Sequence, residues 1–146
     1  MTDGLRVEVD GRVATLTLDR PEALNALTVP VKIALRNALG SIAADRSVRA
    51  VILTGAGRAF CAGQDLAERE RPDAAPLDIE VRERYNPIIR ALRSMGQPVI
   101  AAVNGVAAGA GALDLIAATS CGVMSSASAA YSTPSLTISW YPLARA

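Results

Sequence analysis

Alternating apolar and polar residues open the chain. Leu5–Val9 and Val13–Leu18 alternate on either side of Asp10-Gly11, a dipeptide typical of the tight turn in a β-hairpin. Asp19-Arg20-Pro21 follows the second stretch, and proline cannot continue a strand in the middle of a sheet. The pattern therefore predicts two antiparallel strands that end just before this proline.

Two later segments have the three- to four-residue period of a helix. The first runs from Val29 to about Ala44, and Thr28 precedes it as an N-cap, with proline in the first turn. The second is Ile79–Met95, which follows a charged, proline-containing stretch, Arg69–Pro76, that we interpret as a surface loop. The predicted buried faces comprise Val31, Ile33, Ala34, Leu35, Leu39 and Ile42 in the first helix, and Val81, Tyr85, Ile88, Ile89 and Leu92 in the second.

Short apolar runs precede each of two glycine-rich loops. Val48–Thr54 leads into Gly55-Ala56-Gly57, and Pro98–Val103 leads into Asn104-Gly105. The order strand, helix, strand, helix, strand with short connections favours an α/β fold with a parallel sheet. Ligands bind at the carboxyl ends of the strands in such sheets, and both loops follow strands at that end. Their position therefore predicts a functional site.

Composition excludes several kinds of chemistry. The chain has no histidine, and its two cysteines, Cys61 and Cys121, lack metal-ligand spacing, so we expect neither a histidine-dependent nucleophile nor a metal site. The net charge of +1 gives no reason to expect a nucleic-acid partner. The longest apolar stretch, Val99–Ala118, is interrupted by polar residues and glycines. We therefore expect a cytoplasmic protein without a membrane span.

Both loops consist largely of small residues. Phe60–Leu66 contains Cys61-Ala62-Gly63, and Asn104–Gly111 contains Ala107-Ala108-Gly109-Ala110 and is expected to open a helix. Small side chains let backbone N–H groups approach a ligand, and a helix N-terminus stabilises developing negative charge. One amide from each loop would then stabilise an enolate or oxyanion. The alternative is that glycine and alanine merely permit close packing of a helix against a strand.

Four sequence motifs, two of which include parts of these loops, occur in order along the chain. They are Asp19-Arg20-Pro21-Glu22-Ala23-Leu24-Asn25-Ala26-Leu27, Arg49-Ala50-Val51-Ile52-Leu53-Thr54-Gly55, Ala59-Phe60-Cys61-Ala62-Gly63-Gln64-Asp65-Leu66 and Pro98-Val99-Ile100-Ala101-Ala102-Val103-Asn104-Gly105. In order and spacing they resemble the crotonase (enoyl-CoA hydratase/isomerase) superfamily. The resemblance covers residues 1–111 and corresponds to the first half or so of a full-length family member. It implies an acyl-CoA-binding core built as a spiral of repeated ββα units, incomplete at the C-terminus.

The resemblance also implies roles for individual residues. Gln64 and Ala110 would supply the two oxyanion-hole N–H groups, and Ala110 stands where the family usually has glycine. The implied contacts with the adenine and pantetheine parts of coenzyme A are Ala23, Leu24, Ala62, Gln64, Asp65 and Leu66. Asp65 has an alternative role, which is to cap the helix that follows it. Coenzyme A arrives as part of the substrate, so no separate cofactor is implied, and full-length family members form homotrimers or dimers of trimers.

Residues 112–146 depart from the family pattern. Leu113 stands where family hydratases have the first of two catalytic glutamates, and the Asp and Arg that usually follow the family cysteine are missing after Cys121. Asp114 is one position away, and an exposed place on a helix is the simpler interpretation of it. We expect a divergent tail, partly disordered or out of register with the family, that arose by a reading-frame change or truncation. The alternative is a natural short variant.

Two functions from different classes remain open. The first is a hydratase or double-bond isomerase acting on an acyl-CoA thioester, active or inactive in this form. The second is a non-catalytic acyl-CoA-binding or subunit-interaction module, which the absence of a glutamate at Leu113 favours. A dinucleotide-binding domain is a weaker third interpretation, because Gly55-Ala56-Gly57 follows a strand but lacks a correctly placed third glycine.

Overall fold

Strands and helices alternate along the computed structural model, which describes residues 4–110 and the backbone of residues 123–125. The strands are β1 (Leu5–Asp10), β2 (Val13–Leu18), β3 (Ala50–Gly55), β4 (Ala59–Cys61), β5 (Val99–Val103), β6 (Val106–Ala107) and β7 (Val123–Ser125). The helices are α1 (Val29–Ala44), α2 (Leu66–Arg69), α3 (Leu77–Glu80) and α4 (Asn86–Ser94), with a 3₁₀ turn at Pro21–Ala23 and a π-helical turn, Val81–Tyr85, that joins α3 to α4. The predicted α/β class is confirmed. Apart from β7, the divergent tail at residues 112–146 lies outside the described residues.

Five strands form the main sheet, in the order β1-β2-β3-β5-β7. β1 and β2 are antiparallel, with Leu5 opposite Leu18, which confirms the predicted hairpin. From β2 onward, neighbouring strands are parallel. Helix α1 connects β2 to β3, and α4 precedes β5, because parallel neighbours need a crossover connection. The carboxyl ends of β3 and β5 therefore lie side by side at one edge of the sheet.

A second, two-stranded sheet holds the two glycine-rich loops together. β4 lies parallel to β6, with Ala59 opposite Val106 and Cys61 opposite Ala107. The Ala108 N–H extends this pairing by donating to the carbonyl oxygen of Cys61 at 3.0 Å. Because β4 leads into the first loop and β6 lies within the second, the small sheet fixes the position of one loop relative to the other.

Helix α1 has the predicted bounds but not entirely the predicted buried face. The Thr28 hydroxyl oxygen caps it by accepting from the Val31 N–H at 3.5 Å. Ile33, expected to be buried, is 43% exposed, whereas Lys32 is only 1% exposed. The reason is that the carboxylate of Glu80 meets the Lys32 ammonium group and compensates its charge. A pattern of apolar positions does not reveal a buried ion pair.

The second predicted helix is interrupted by the π-helical turn. A π-helical turn contains one more residue than an α-helical turn, so it rotates the residues that precede it relative to those that follow. Val81, expected to be buried, is therefore 41% exposed, and Glu80 is buried in its stead. Tyr85, Ile88 and Leu92 occupy the buried face as predicted.

The hydrophobic core lies between the main sheet and helices α1 and α4. Leu16 and Leu53 contribute from the sheet, and Leu35 and Leu39 contribute from α1. Phe60, the only phenylalanine of the chain, is fully buried where β4 enters the first loop. The first loop is thus anchored directly to the core. Among the residues that the structure describes, no helix is long and apolar enough to cross a membrane.

Candidate functional site

The two glycine-rich loops touch at Gly63. This residue has a φ of +98°, and a Cβ atom added there would lie 2.9 Å from the Ala108 carbonyl oxygen and 3.4 Å from the Ala110 nitrogen. Only glycine adopts this backbone conformation readily, and only glycine leaves room for the opposite loop. Close backbone contact between the loops is therefore the reason for a glycine at this position.

The backbone N–H of Gln64 is left unpaired by its neighbours. Leu27 bridges this part of the loop: its N–H donates to the Gly63 carbonyl oxygen at 2.7 Å, and its carbonyl oxygen accepts from the Asp65 N–H at 3.2 Å. Successive backbone groups of an extended segment point in opposite directions, so the Gln64 N–H points away from Leu27. Within the described part of the chain it makes no hydrogen bond.

Ala110 offers the corresponding group on the second loop. It is the first helical residue after Gly109, which turns the backbone with a φ of +51°. The N–H groups in the first turn of a helix have no partner within the helix. No other described residue accepts a hydrogen bond from the Ala110 N–H. The structure thus places Gln64 and Ala110, the two predicted oxyanion-hole residues, on facing loops.

Two of the predicted coenzyme A contacts are adjacent to each other. The Ala62 N–H donates to the Leu24 carbonyl oxygen at 3.0 Å, which brings the turn at Ala23-Leu24 against the first loop. Leu24 has a φ of 50° and Asn25 a φ of 58°, the left-handed region that non-glycine residues seldom occupy. Leu66, another predicted contact, is 71% exposed at the start of α2.

Asn25 fixes this unusual turn. Its side chain is buried, and its Nδ2 group donates to the carbonyl oxygens of Ala56 at 2.9 Å and Ala59 at 2.8 Å. Its Oδ1 atom accepts from the Arg20 N–H at 2.9 Å. The asparagine therefore ties the turn to the loop after β3. Asn25 lies within the first of the four sequence motifs, but the motif alone does not indicate this role.

Asp65 performs the capping role that the sequence left as an alternative. Its Oδ1 atom accepts from the Glu68 N–H at 3.2 Å, and its Oδ2 atom accepts from Arg20 Nη1 at 2.9 Å. The hydrogen bond from Arg20 is the main reason why the pKa of Asp65 lies below its usual value. Both carboxylate oxygens are thus engaged within the protein, and Asp65 acts on the loop by holding it in place.

A cavity of about 230 Å³ opens beside Gln64. Its wall is formed by the start of α1, by α2 and the loop after it, and by the segment around the π-helical turn. The residues that line it are Val29, Gln64, Glu68, Arg69, Arg71, Asp73, Ala74, Ala75, Glu80 and Arg84. The wall is dominated by charged side chains, and the predicted surface loop at Arg69–Pro76 supplies half of it.

A buried ion cluster supports one side of the cavity. The Glu80 carboxylate accepts from the Lys32 ammonium group through one oxygen and from the Arg84 guanidinium through the other. Lys32 also lies over the Tyr85 ring, 4.8 Å from its centroid. Burial opposes ionisation of Glu80, but the hydrogen bonds and charges of Lys32 and Arg84 outweigh it and lower its pKa. The apolar pattern of the sequence does not reveal this cluster, although the four-residue spacing of Glu80 and Arg84 is typical of helical ion pairs.

Glu68 and Cys61 lie on either side of Gln64 in the chain, and both accept hydrogen bonds from backbone N–H groups. The two carboxylate oxygens of Glu68 accept from the Val29 N–H, at 3.1 and 2.8 Å, at the start of α1. The Cys61 sulfur accepts from the Gly63 N–H at 3.4 Å. Burial raises the pKa of the Cys61 thiol to about 11, so it remains protonated at neutral pH.

Asn104 holds the second loop at its start. Its Nδ2 group donates to the carbonyl oxygens of Gly57 at 2.9 Å and Ala59 at 3.2 Å, and its Oδ1 atom accepts from the Gly55 N–H at 3.2 Å. The ends of β3 and β5 are thereby joined through one side chain. No group of three or more potential metal ligands occurs among the described residues. Leu113, Asp114 and Cys121 lie outside them.

These features define the class of protein as a mixed α/β domain in which two facing loops present backbone N–H groups beside a cavity. A model of the enoyl-CoA hydratase/isomerase family matches residues 8–145. The chain therefore belongs to the enoyl-CoA hydratase/isomerase family, as the sequence resemblance implied. The matched range includes most of residues 112–146, the segment that lacks the expected Asp and Arg.

Individual relatives agree with this assignment. The 1,2-epoxyphenylacetyl-CoA isomerase of Escherichia coli is 45% identical over 115 residues, which are 77% of this chain and 44% of that protein. A Rhodobacter capsulatus protein named probable enoyl-CoA hydratase is 46% identical over 108 residues, 74% of this chain and 41% of that protein. The crystal structure of an enoyl-CoA hydratase from Mycobacterium smegmatis matches with a TM-score of 0.74 at 38% identity, covering 84% of this chain and 47% of the other. The crotonase-like fold is confirmed, and the chain spans less than half the length of these curated relatives.

Proposed function

We propose that the chain binds an acyl-CoA thioester and polarises its carbonyl group through the backbone N–H groups of Gln64 and Ala110. The observation that supports the proposal is the close approach of Gly63 to Ala110, together with the lack of a hydrogen-bond partner for the Gln64 and Ala110 N–H groups among the described residues. Two such donors hold a thioester oxygen more strongly as it gains negative charge. In other enzymes, removing one such donor raises the transition-state energy by about 3–4 kcal/mol.

Binding of the coenzyme A part is proposed for the surface beside the first loop. Ala23 and Leu24 adjoin Ala62 through the Leu24 carbonyl oxygen, and the exposed Leu66 side chain extends this surface. Small residues allow a narrow pantetheine arm to approach the backbone. Asp65 contributes by capping α2 and thus holding Leu66 in position.

Proton transfer decides which reaction the polarised carbonyl supports. Leu113 occupies the expected position of a glutamate, and a leucine transfers no proton. Hydration needs water to be positioned and activated, for which family hydratases use two glutamates. Double-bond isomerisation needs one base that removes a proton next to the carbonyl and returns it elsewhere. We therefore favour isomerisation over hydration, with the base supplied by residues 112–146 or by another subunit. Trimer formation and a cytoplasmic location stay predictions.

A non-catalytic acyl-CoA-binding module is the second candidate. Leu113 favours it, as does the engagement of Glu68 and Glu80, two carboxylates of the cavity wall, with other groups of the protein. The two candidates share the binding step and differ only in turnover.

Calorimetric titration of the whole chain with crotonyl-CoA and acetyl-CoA tests the binding step. Parallel assays follow hydration of crotonyl-CoA by its loss of enoyl absorbance, and isomerisation of a 3-enoyl-CoA by the gain of that absorbance. Binding with isomerisation supports the enzyme, and binding without turnover supports the module. Absence of saturable binding to either thioester contradicts the proposed function.

A further inference from the structure

The charged side chains in the wall of the cavity beside Gln64 differ in how many hydrogen-bonding groups they leave free for a ligand. Its three acidic residues are all engaged with other groups of the protein. Glu80 is shared between Lys32 and Arg84, and Glu68 accepts from the Val29 N–H through both oxygens. Asp73 forms an exposed, bidentate ion pair with Arg71, with a length of 3.0 Å for each hydrogen bond. The acids of the wall therefore have little capacity left for a ligand.

The other two arginines of the wall keep unused donors. A guanidinium group carries five N–H groups, of which Arg84 gives one nitrogen, Nη1, to Glu80. Arg69 likewise gives Nη1 to the Ala75 carbonyl oxygen. The Nε and Nη2 groups of both arginines make no hydrogen bond within the described part of the chain. The wall thus offers unused N–H donors and few free acceptors.

The buried cluster adds a net positive charge. Lys32 and Arg84 contribute two cations and Glu80 contributes one anion, and the Lys32 and Glu80 side chains are 0% and 3% exposed. Glu80 and Arg84 both line the cavity, and Arg84 is the more exposed of the two, at 30%. Charges that are partly withdrawn from water interact more strongly with a bound ion than surface charges do. The hydrogen bond from Arg84 Nη1 to Glu80 restricts the orientation of the guanidinium and leaves its Nε and Nη2 groups for a ligand.

We propose that the cavity selects an acyl group whose far end carries a carboxylate, which Arg84 and Arg69 bind. The proposal rests on the proposed function, since it takes the thioester carbonyl to lie at Gln64, next to this cavity. A carboxylate accepts two parallel hydrogen bonds from one guanidinium edge. At about 230 Å³ the cavity is smaller than the range of roughly 300–1,000 Å³ typical of ligand pockets, so the acyl chain is short. The predicted substrate class is the coenzyme A thioester of a short dicarboxylic acid.

Two thioesters of matched shape test the substrate class with the unmodified chain. Glutaryl-CoA ends in a carboxylate, and 5-methylhexanoyl-CoA replaces its two oxygens by methyl groups. We expect calorimetry to give a dissociation constant at least about tenfold lower for glutaryl-CoA, because a site built for charged hydrogen bonds discriminates strongly against an apolar analogue. The preference should shrink as the salt concentration rises.

Variants of two arginines test whether the cavity causes the preference for glutaryl-CoA. Arg84→Met keeps an unbranched side chain but removes the guanidinium, and it leaves Lys32 and Glu80 as a paired couple. We expect it to reduce the preference for glutaryl-CoA over 5-methylhexanoyl-CoA to less than about threefold. Arg82→Met is the matched control, because Arg82 is 66% exposed and does not line the cavity.

Each outcome separates this inference from the proposed function. Equal binding of both thioesters overturns the substrate class and leaves the proposed function standing. Failure of both thioesters, and of acetyl-CoA, to bind overturns both. A preference for glutaryl-CoA that survives in Arg84→Met overturns the role of Arg84. Because the two thioesters are compared on the unmodified chain, the test of substrate class does not depend on the folding of any variant.

Discussion

Gly63 and Ala110 meet across the two loops, so that a Cβ atom at position 63 would lie 3.4 Å from the Ala110 nitrogen. The same Cβ atom would lie 2.9 Å from the Ala108 carbonyl oxygen. This contact holds together the two loops whose N–H groups, at Gln64 and Ala110, are proposed to bind the thioester oxygen. A methyl group at position 63 would both strain the first loop and push the second loop away.

Gly63→Ala should therefore impair both folding and binding. A non-glycine residue held at a strained backbone conformation costs about 1–3 kcal/mol, and we expect thermal unfolding to show a loss of that order. We expect calorimetry to show at least about a tenfold weaker affinity for crotonyl-CoA, which corresponds to about 1.4 kcal/mol. Gly40→Ala is the matched control, since a Cβ atom there has no neighbour within 4 Å and alanine favours a helix. Wild-type affinity in Gly63→Ala would show that the loops do not form the binding gap.

Asn25 should be among the most sensitive polar positions of the fold. Asn25→Ala removes a buried side chain that makes three hydrogen bonds and leaves the carbonyl oxygens of Ala56 and Ala59 without that donor. At about 1 kcal/mol for each bond and more for an unsatisfied buried group, we expect a loss of about 3 kcal/mol in urea-induced unfolding. Asn37→Ala, on the exposed face of α1, should change stability by less than about 0.5 kcal/mol. A loss below about 1 kcal/mol in Asn25→Ala would contradict the structural role.

Periodic and turn-forming features of the sequence predicted much of this fold. Alternation on either side of Asp10-Gly11 predicted the hairpin, and the helical period after Thr28 predicted the bounds of α1. These features are local, because they depend on residues close together in the chain. The boundaries of Val48–Thr54 were less accurate, since β3 runs from Ala50 to Gly55. Strand ends are set by pairing with distant strands, which a local pattern does not contain.

The buried ion cluster shows where local patterns fail. Lys32 and Glu80 are 48 positions apart, so neither helix predicts that the other will supply an opposite charge. A charged residue inside an apolar period is ordinarily assigned to the surface, so the pattern that predicts a buried Ile33 gives no sign of a buried Lys32. The π-helical turn added to the error by rotating Glu80 inward. The candidate loops were predicted by position, whereas the charged cavity beside them required the three-dimensional structure.

Cys61 should resist alkylation in the folded protein. Its thiol is buried and has a pKa of about 11, so the reactive thiolate is scarce at pH 8. We expect iodoacetamide to modify Cys61 slowly under native conditions and at the rate of a free cysteine in concentrated urea. Peptide mapping by mass spectrometry distinguishes Cys61 from Cys121. Rapid native labelling of Cys61 would show that the first loop opens to solvent.

Glu80 should make the fold sensitive to acid. Its pKa is lower in the folded state than in the unfolded chain, so the carboxylate form is stabilised by folding. This contribution is fully present above the unfolded pKa of about 4.3 and is lost as the pH falls through the lower folded value. The depressed pKa of Asp65 acts in the same direction. Thermal unfolding measured at decreasing pH should therefore show a fall in stability below about pH 4.3.

The Glu80→Gln variant distinguishes the stability that the buried ion cluster contributes from the stability that other acid-sensitive groups contribute. It leaves the Lys32 ammonium group buried without a counter-ion, and breaking a buried pair in this way costs about 3–5 kcal/mol at neutral pH. Adding Lys32→Met should recover part of the loss, because the unpaired charge is then removed. Glu83→Gln is the control, since Glu83 is 62% exposed on the same segment. If the double variant is no more stable than Glu80→Gln alone, Lys32 is not the charge that Glu80 compensates.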